Sequence, residues 1–347
     1  MAGDSLIIFL PDTALQGPVY IIKKKILLYQ LLKIQVRIAS LIFCRRFIIN
    51  KPGILHSKGP LLLACNHPNS FLDGVLLDIL FDQPLYSLAR GDVFKRSFYA
   101  RLLFKVKLIP IYRLSEGAEN IPTNYESFEA CKEIFRKNGI VIMFSEGKCI
   151  NEWHLRPLKK GTARLAFSSW EAGIPLQVLP VGINYSSFRR FGKNMFINFG
   201  DKISQDQLKN DTGDGLRYQA FNDLLEQQLK TLVFEIGKED KALQEKILER
   251  KPSVSKKIFL SIPSLLGWLL HVPLYMPIQS FTYKRTHHND HFDSVLTAIL
   301  LFAYPVYIIV LTVAVFFFTH SWLAFLLILV MPLLAWSYVQ LKPQLDK

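Results

Sequence analysis

The chain has 347 residues, half of them hydrophobic and 20% charged, with a formal net charge of +14 and a mean hydropathy of +0.21. That length holds one good-sized domain plus additional elements. The basic residues flank apolar segments (Lys23 to Lys25, Arg45, Arg46, Lys256, Lys257, Lys284, Arg285) and form no aromatic-interleaved patch. Nucleic acid is thereby excluded as a partner and an anionic lipid surface is favoured, at about 1 kcal/mol per well-placed cation.

In chain order, the N-terminus shows neither a basic region ahead of its first apolar patch nor a small-residue cleavage site, so no secretory signal peptide is expected. Val19 to Ile49 reads as a helix with Lys33 and Arg37 four apart. It suits a membrane-interface helix over 19–50, with a buried core helix as the alternative. From 51 to 205 strands and helices alternate, which predicts an α/β domain with a central, largely parallel sheet flanked by helices. Leu61 to Ala64 is a short buried strand that delivers Asn66-His67 into a polar turn. Asp73 follows near the start of a helix over Val75 to Phe81, where a carboxylate suits the positive end of the dipole. A neutral imidazole is a good general base near pH 7, and a carboxylate on its other nitrogen fixes the tautomer. Taken alone, a His beside an Asp is more often structural.

Lys107 to Arg113 is a further strand, ending in an arginine. The helix from Tyr125 to Lys137 stops at Asn138-Gly139. Ile140 opens another strand, which ends in Ser145-Glu146-Gly147-Lys148. The glycine spacing of a P-loop is absent there. A helix over Thr162 to Glu171 stops at Gly173, and Pro175 to Tyr185 is a strand that Pro180 interrupts. A charged helical extension occupies 206–256, with a hinge at Lys251-Pro252-Ser253. A membrane region over 258–341 follows: Ile258 to Phe281, Val295 to Phe318 and Trp322 to Val339 are each long enough to cross a bilayer. Pro263, Pro273 and Pro277 would break the first of these. It is expected to dip in and return, leaving the last two to span. Cys44, Cys65, Cys131 and Cys149 are dispersed and read as reduced thiols of a cytosol-facing domain. No metal constellation appears, and His287, His288 and His291 read as surface residues of a hydrophilic loop.

Four blocks in this order, Asn66-His67 with Asp73, the strand ending at Arg113, Phe144 to Cys149, and the strand through Pro180, resemble the glycerophosphate and lysophosphatidate acyltransferase family. The family's blocks run Asn-His-x4-Asp, a strand ending in Arg, Phe-Pro-Glu-Gly-Thr-Arg, and an apolar strand with a central proline. The linking piece Pro157 to Phe167 also looks like the helix that follows the third block, and the resemblance covers roughly Gly59 to Ile203. Two departures stand out. Five residues separate His67 from Asp73 where most of the family has four, which reads as a bulge in the turn. The third block lacks the proline and the Thr-Arg, with Lys148 as its surviving cation.

The resemblance implies an integral-membrane O-acyltransferase with its catalytic domain on the cytoplasmic side. His67 would be the general base and Asp73 its orienting partner, and Arg113, Glu146, Gly147 and Lys148 would bind the acceptor. The cations would face a phosphate and Glu146 the hydroxyls. No cofactor is expected beyond an acyl thioester donor, acyl-CoA or acyl carrier protein. The partners would be membrane lipids and a phosphate-bearing lipid precursor, glycerol 3-phosphate or lysophosphatidate. Three alternatives stay open: a lyso-aminolipid acceptor, a lipase or thioesterase built on Ser70, and a non-enzymatic membrane scaffold.

Overall fold

The computed structural model describes residues 26–112, 121–208 and 213–346. Helix α1 (Ile26–Phe43) leads into strand β1 (Cys44–Ile49), β2 (Leu61–Cys65), α2 (Phe71–Leu80), β3 (Leu85–Arg90), α3 (Ser97–Lys105), β4 (Leu108–Ile111), α4 (Ile121–Arg136) and β5 (Ile140–Phe144). Then come α5 (Gly161–Glu171), β6 (Gln177–Tyr185), β7 (Lys193–Phe199), α6 (Asp214–Leu232) and α7 (Lys241–Leu248). Three apolar helices close the described chain: α8 (Val254–Thr286), α9 (Phe292–Thr319) and α10 (Leu327–Leu341).

The sheet order is β1-β7-β6-β2-β5-β3-β4. Strands β6, β2, β5, β3 and β4 are mutually parallel, and β7 runs antiparallel to β6. A parallel sheet is buried on both faces, so its central strands are apolar on both sides. In β2, Leu61, Leu63 and Cys65 face a core shared with α2, while Leu62 and Ala64 face one built from α4, α5 and α6. Phe221, Leu225 and Leu229 of α6 belong to that second core, so α6 is a wall of the α/β domain. The α4 helix ends as its sequence predicts: Asn138 takes φ 56° and the Gly139 N–H returns to the Ile134 carbonyl at 2.8 Å.

Three expectations are corrected. The helix read to Ile49 stops at Phe43, and Cys44–Ile49 pairs with β7 as the sheet's edge strand. Arg45 reaches from there to the Val339 carbonyl at the end of α10, at 3.0 Å through Nε, so it is a buried helix cap and not a surface cation. Pro180 does not interrupt β6. It stays in register opposite Ala64 of β2, and its carbonyl accepts the Gly200 N–H at 2.9 Å. The third correction concerns α8, which runs unbroken for 33 residues through Pro263, Pro273 and Pro277. Side chains add hydrogen bonds along this stretch, with the Tyr307 hydroxyl donating to the Leu270 carbonyl at 2.7 Å and His271 Nδ1 lying 2.6 Å from the Gly267 carbonyl.

By length and composition α8, α9 and residues 322–341 are each able to cross a membrane. Their outer faces, and Leu31, Ile34, Ile38 and Leu41 on one face of α1, expose large apolar side chains. Lys33 and Arg37 of α1 turn the other way and cap α2, reaching the carbonyls of Phe81 at 3.0 Å and Ile79 at 2.9 Å.

Candidate active site

In an open α/β sheet, ligands bind outside the carboxyl ends of the parallel strands. Here β2 ends at His67, β5 at Ser145–Lys148, β3 at Arg90 and β4 at Tyr112, all at one rim. The Asn66 side chain extends the ladder across to β6, accepting from the Ile183 N–H at 2.7 Å and donating to its carbonyl at 2.9 Å. Asn66 therefore fixes where the turn leaves the sheet.

His67 Nδ1 lies 2.9 Å from Asp73 Oδ2. The same oxygen accepts the Asn69 N–H at 2.8 Å, and Asp73 Oδ1 accepts the Tyr185 hydroxyl at 2.8 Å. Asp73 is fully buried, and its three donors compensate that burial. Burial and the adjacent carboxylate push the Tyr185 hydroxyl well above its ordinary pKa, so it stays a donor. The imidazole stacks on Phe144, with ring centroids 3.8 Å apart, and keeps 19% exposure. With Nδ1 committed to Asp73, Nε2 is the nitrogen left for a substrate.

The turn between His67 and Asp73, one residue longer than the family pattern, passes through Ser70 at φ 54°, uncommon for a residue with a Cβ. Ser70 is held by two partners: its N–H donates to Cys149 Sγ at 2.9 Å, and its hydroxyl lies 2.7 Å from His291 Nδ1. Burial lowers the pKa of His291 and raises that of the Cys149 thiol, so both favour their neutral forms.

Glu146 requires a correction. Its carboxylate accepts the N–H of His67 and the N–H of Arg156, each at 2.9 Å, and the residue is 4% exposed. Each oxygen has one backbone donor, which ties the Glu146 side chain to the His67 backbone and turns it away from solvent. Burial raises its pKa despite those donors. Gly147, at φ 67°, makes the turn, and with Lys148 it lines the groove over His67. Arg113 lies outside the described residues.

Sequence reasoning missed much of the rim. Lys159, Lys160 and Arg164, around the start of α5, line the groove together with Lys148. None of the four has a carboxylate partner among the described residues. Lys159, Lys160 and Arg164 sit in the Pro157–Phe167 piece that resembles the family, which was the available signal. His291 and its neighbours His288 to Asp290 also line the groove. The loop expected to be simple hydrophilic surface therefore closes on the catalytic turn, and nothing in its local sequence reveals that. Away from the cations the groove turns apolar between α1, α2 and α9, past Leu32, Val36, Val75, Ala298 and Leu301. Its volume, about 2430 Å³, exceeds that of an ordinary small-molecule cleft. One end suits an anion and the other a hydrocarbon chain.

Residues 46–184 match the family model described as Acyltransferase. An uncharacterized acyltransferase of Schizosaccharomyces pombe is 29% identical over 151 residues, a stretch covering 43% of this chain and 21% of that protein. The chain thus spans about a fifth of the length of this relative. Among solved structures, the 1-acyl-sn-glycerophosphate acyltransferase PlsC of Thermotoga maritima aligns over 59% of this chain and 79% of its own. The identity is 13% and the TM-score 0.38.

Proposed function

We propose, from the match of residues 46–184 to the Acyltransferase family model, that the protein is a membrane-bound O-acyltransferase. It moves a fatty acyl group from an acyl thioester to the hydroxyl of a phosphate-bearing glycerolipid precursor, glycerol 3-phosphate or its monoacyl product. The observation that carries this reading is the His67–Asp73 pair, at 2.9 Å, on the wall of a groove cationic at one end and apolar at the other. His67 Nε2 takes the proton of the acceptor hydroxyl as its oxygen attacks the thioester carbonyl. Asp73 stabilises the imidazolium, and the thiolate of coenzyme A or acyl carrier protein leaves and takes up the proton. No covalent acyl-enzyme is needed.

Lys148, Lys159, Lys160 and Arg164 supply the charge that holds a dianionic phosphate at the rim, with Arg113 joining them by family resemblance. Apolar residues of α1, α2 and α9 take an acyl chain. Purified protein incubated with labelled acyl thioester and a panel of acceptors tests the reading. Transfer to glycerol 3-phosphate or lysophosphatidate supports it, and acylation of phosphate-free lyso-aminolipids alone overturns the phosphate assignment. Arg113→Ala should chiefly raise the acceptor KM, with a smaller effect on the donor.

A second reading has one specific observation behind it. Ser70 stands at the start of α2, where free N–H groups point outward, with His291 within 2.7 Å. That is the arrangement of a serine nucleophile and its base, and the partner is His291, not His67. Acyl transfer that survives Ser70→Ala removes the nucleophile reading. An acyl group trapped on Ser70 establishes it.

A further inference from the structure

The hydrogen bonds behind Asp73 lead out of the catalytic domain and into a membrane helix. Asn69, whose N–H holds Asp73 Oδ2, donates its side-chain Nδ2 to Asp293 Oδ2 at 2.8 Å. Asp293 lies in the first turn of α9, where the helix dipole favours a carboxylate. Lys193, at the start of β7, pairs with the same oxygen of Asp293. All three side chains are fully buried. A buried ion pair costs desolvation that apolar packing would avoid, so it is weak evidence for a stabilising role and calls for another. Among the described residues its hydrogen-bonded outlet is Asn69, and from Asn69 the chain of contacts runs to Asp73 and His67.

We propose that Asp293, fixed by Lys193, is a positioning residue for acyl transfer: it orients Asn69, which presets Asp73 against His67. The base of the α9–α10 hairpin is then part of the catalytic apparatus as well as a membrane element. This inference rests on the acyltransfer reading for its kinetic test and on geometry alone for its structural one.

The test uses the full-length protein in three forms. Asn69→Ala breaks the link from the catalytic side. Lys193→Met with Asp293→Leu breaks it from the membrane side, replacing the ion pair by apolar groups. The third form combines all three substitutions. Each form should lower kcat by about 10- to 100-fold, the scale of a misplaced catalytic group, with donor and acceptor KM within about twofold. The combined form should be no slower than either parent, because all break one connection. It should also regain thermal stability relative to the Lys193→Met/Asp293→Leu form, since the orphaned Asn69 amide is gone, while kcat stays low. Stability and turnover moving apart is the outcome a purely structural role cannot give. A kcat near that of the unsubstituted protein in Asn69→Ala overturns the proposal, as does a kcat that recovers together with stability. If the membrane-side form does not fold, Asn69→Ala decides alone. Hydrogen exchange of the 67–73 peptide, expected to accelerate in each folded variant, needs no substrate. Absence of acyl transfer by the unsubstituted protein would sink the function while accelerated exchange still confirmed the link; unchanged exchange would sink the link itself.

Discussion

At the scale of residues, each group around His67 has a separable task. His67→Ala removes the base and should lower acyl transfer by about 10² to 10⁴-fold while expression and membrane association persist. Near-normal turnover in steady-state assays would end the mechanism. Asp73→Asn should be severe but less complete, because Asn69 and Tyr185 still frame the site. Glu146 permits a test by pH. Its folded pKa is raised by burial above the ordinary 4.5, so between those two values the folded state binds more protons than the unfolded one. Stability then falls as pH rises from 4.5 through the folded pKa. Glu146→Gln should lack that component and lower stability chiefly at neutral pH, where its amide group offers the two backbone N–H donors one acceptor oxygen in place of the carboxylate's two. Denaturation curves between pH 4 and 7 would show whether the pH dependence disappears. His67, Asp73, Gly147 and Lys148 were legible because motif spacing is local. His291 and Asp293 were not, because they reach the turn from more than 220 residues downstream. The direction in which Glu146 points depends on backbone partners that no spacing encodes.

Among elements, the alternation of strands and helices was readable, and the sheet has the expected parallel centre. What escaped was partnership. An apolar run with two arginines extends α1 plausibly to Ile49, yet Arg45 and Arg37 serve as caps for α10 and α2, and the strand that begins at Cys44 closes the sheet edge. Prolines mark α8 as broken by the rule for water-exposed helices, but a helix flanked by others keeps its remaining ladder. Helix α8 lies close against α10 at Gly267, where an added Cβ would clash with the Leu334 carbonyl. Small residues permit such backbone contact between membrane helices. Gly267→Val should therefore force the two helices apart and destabilise the folded protein by about 1–3 kcal/mol or more. A melting temperature equal to that of the unsubstituted protein would mean that the contact carries no packing.

On the scale of the whole molecule, the contacts at both ends of the apolar region constrain how the protein sits in a bilayer. The chain leaves the domain at Leu248, whose carbonyl accepts from Asn194 at 3.0 Å, and it returns at Asp293, which pairs with the adjacent Lys193. Exit and return are thus held by neighbouring residues of β7, on one side of any membrane the domain rests against. Helix α8 joins these two points, so the prediction is that despite its length it does not change sides. Helix α9 then departs and α10 comes back, ending where the Ser186 and Ser187 hydroxyls bond Gln344 and Asp346. At about 1.5 Å per residue, the 28 residues of α9 exceed the ~30 Å of a hydrocarbon core, and its far end carries an aromatic cluster of Phe316, Trp322 and Phe325 suited to an interface. The cations Lys256, Lys257, Lys284, Arg285 and Lys342 all fall on the domain side and none lies at Thr319–Ser321. The positive-inside tendency predicts that this side is cytosolic. In sealed, oriented vesicles, an impermeant maleimide should label Arg285→Cys from the cytosolic face and His320→Cys only from the opposite one. Labelling of Arg285→Cys exclusively from the far side would show that α8 crosses, and would detach the α9 base from the catalytic turn it is drawn against.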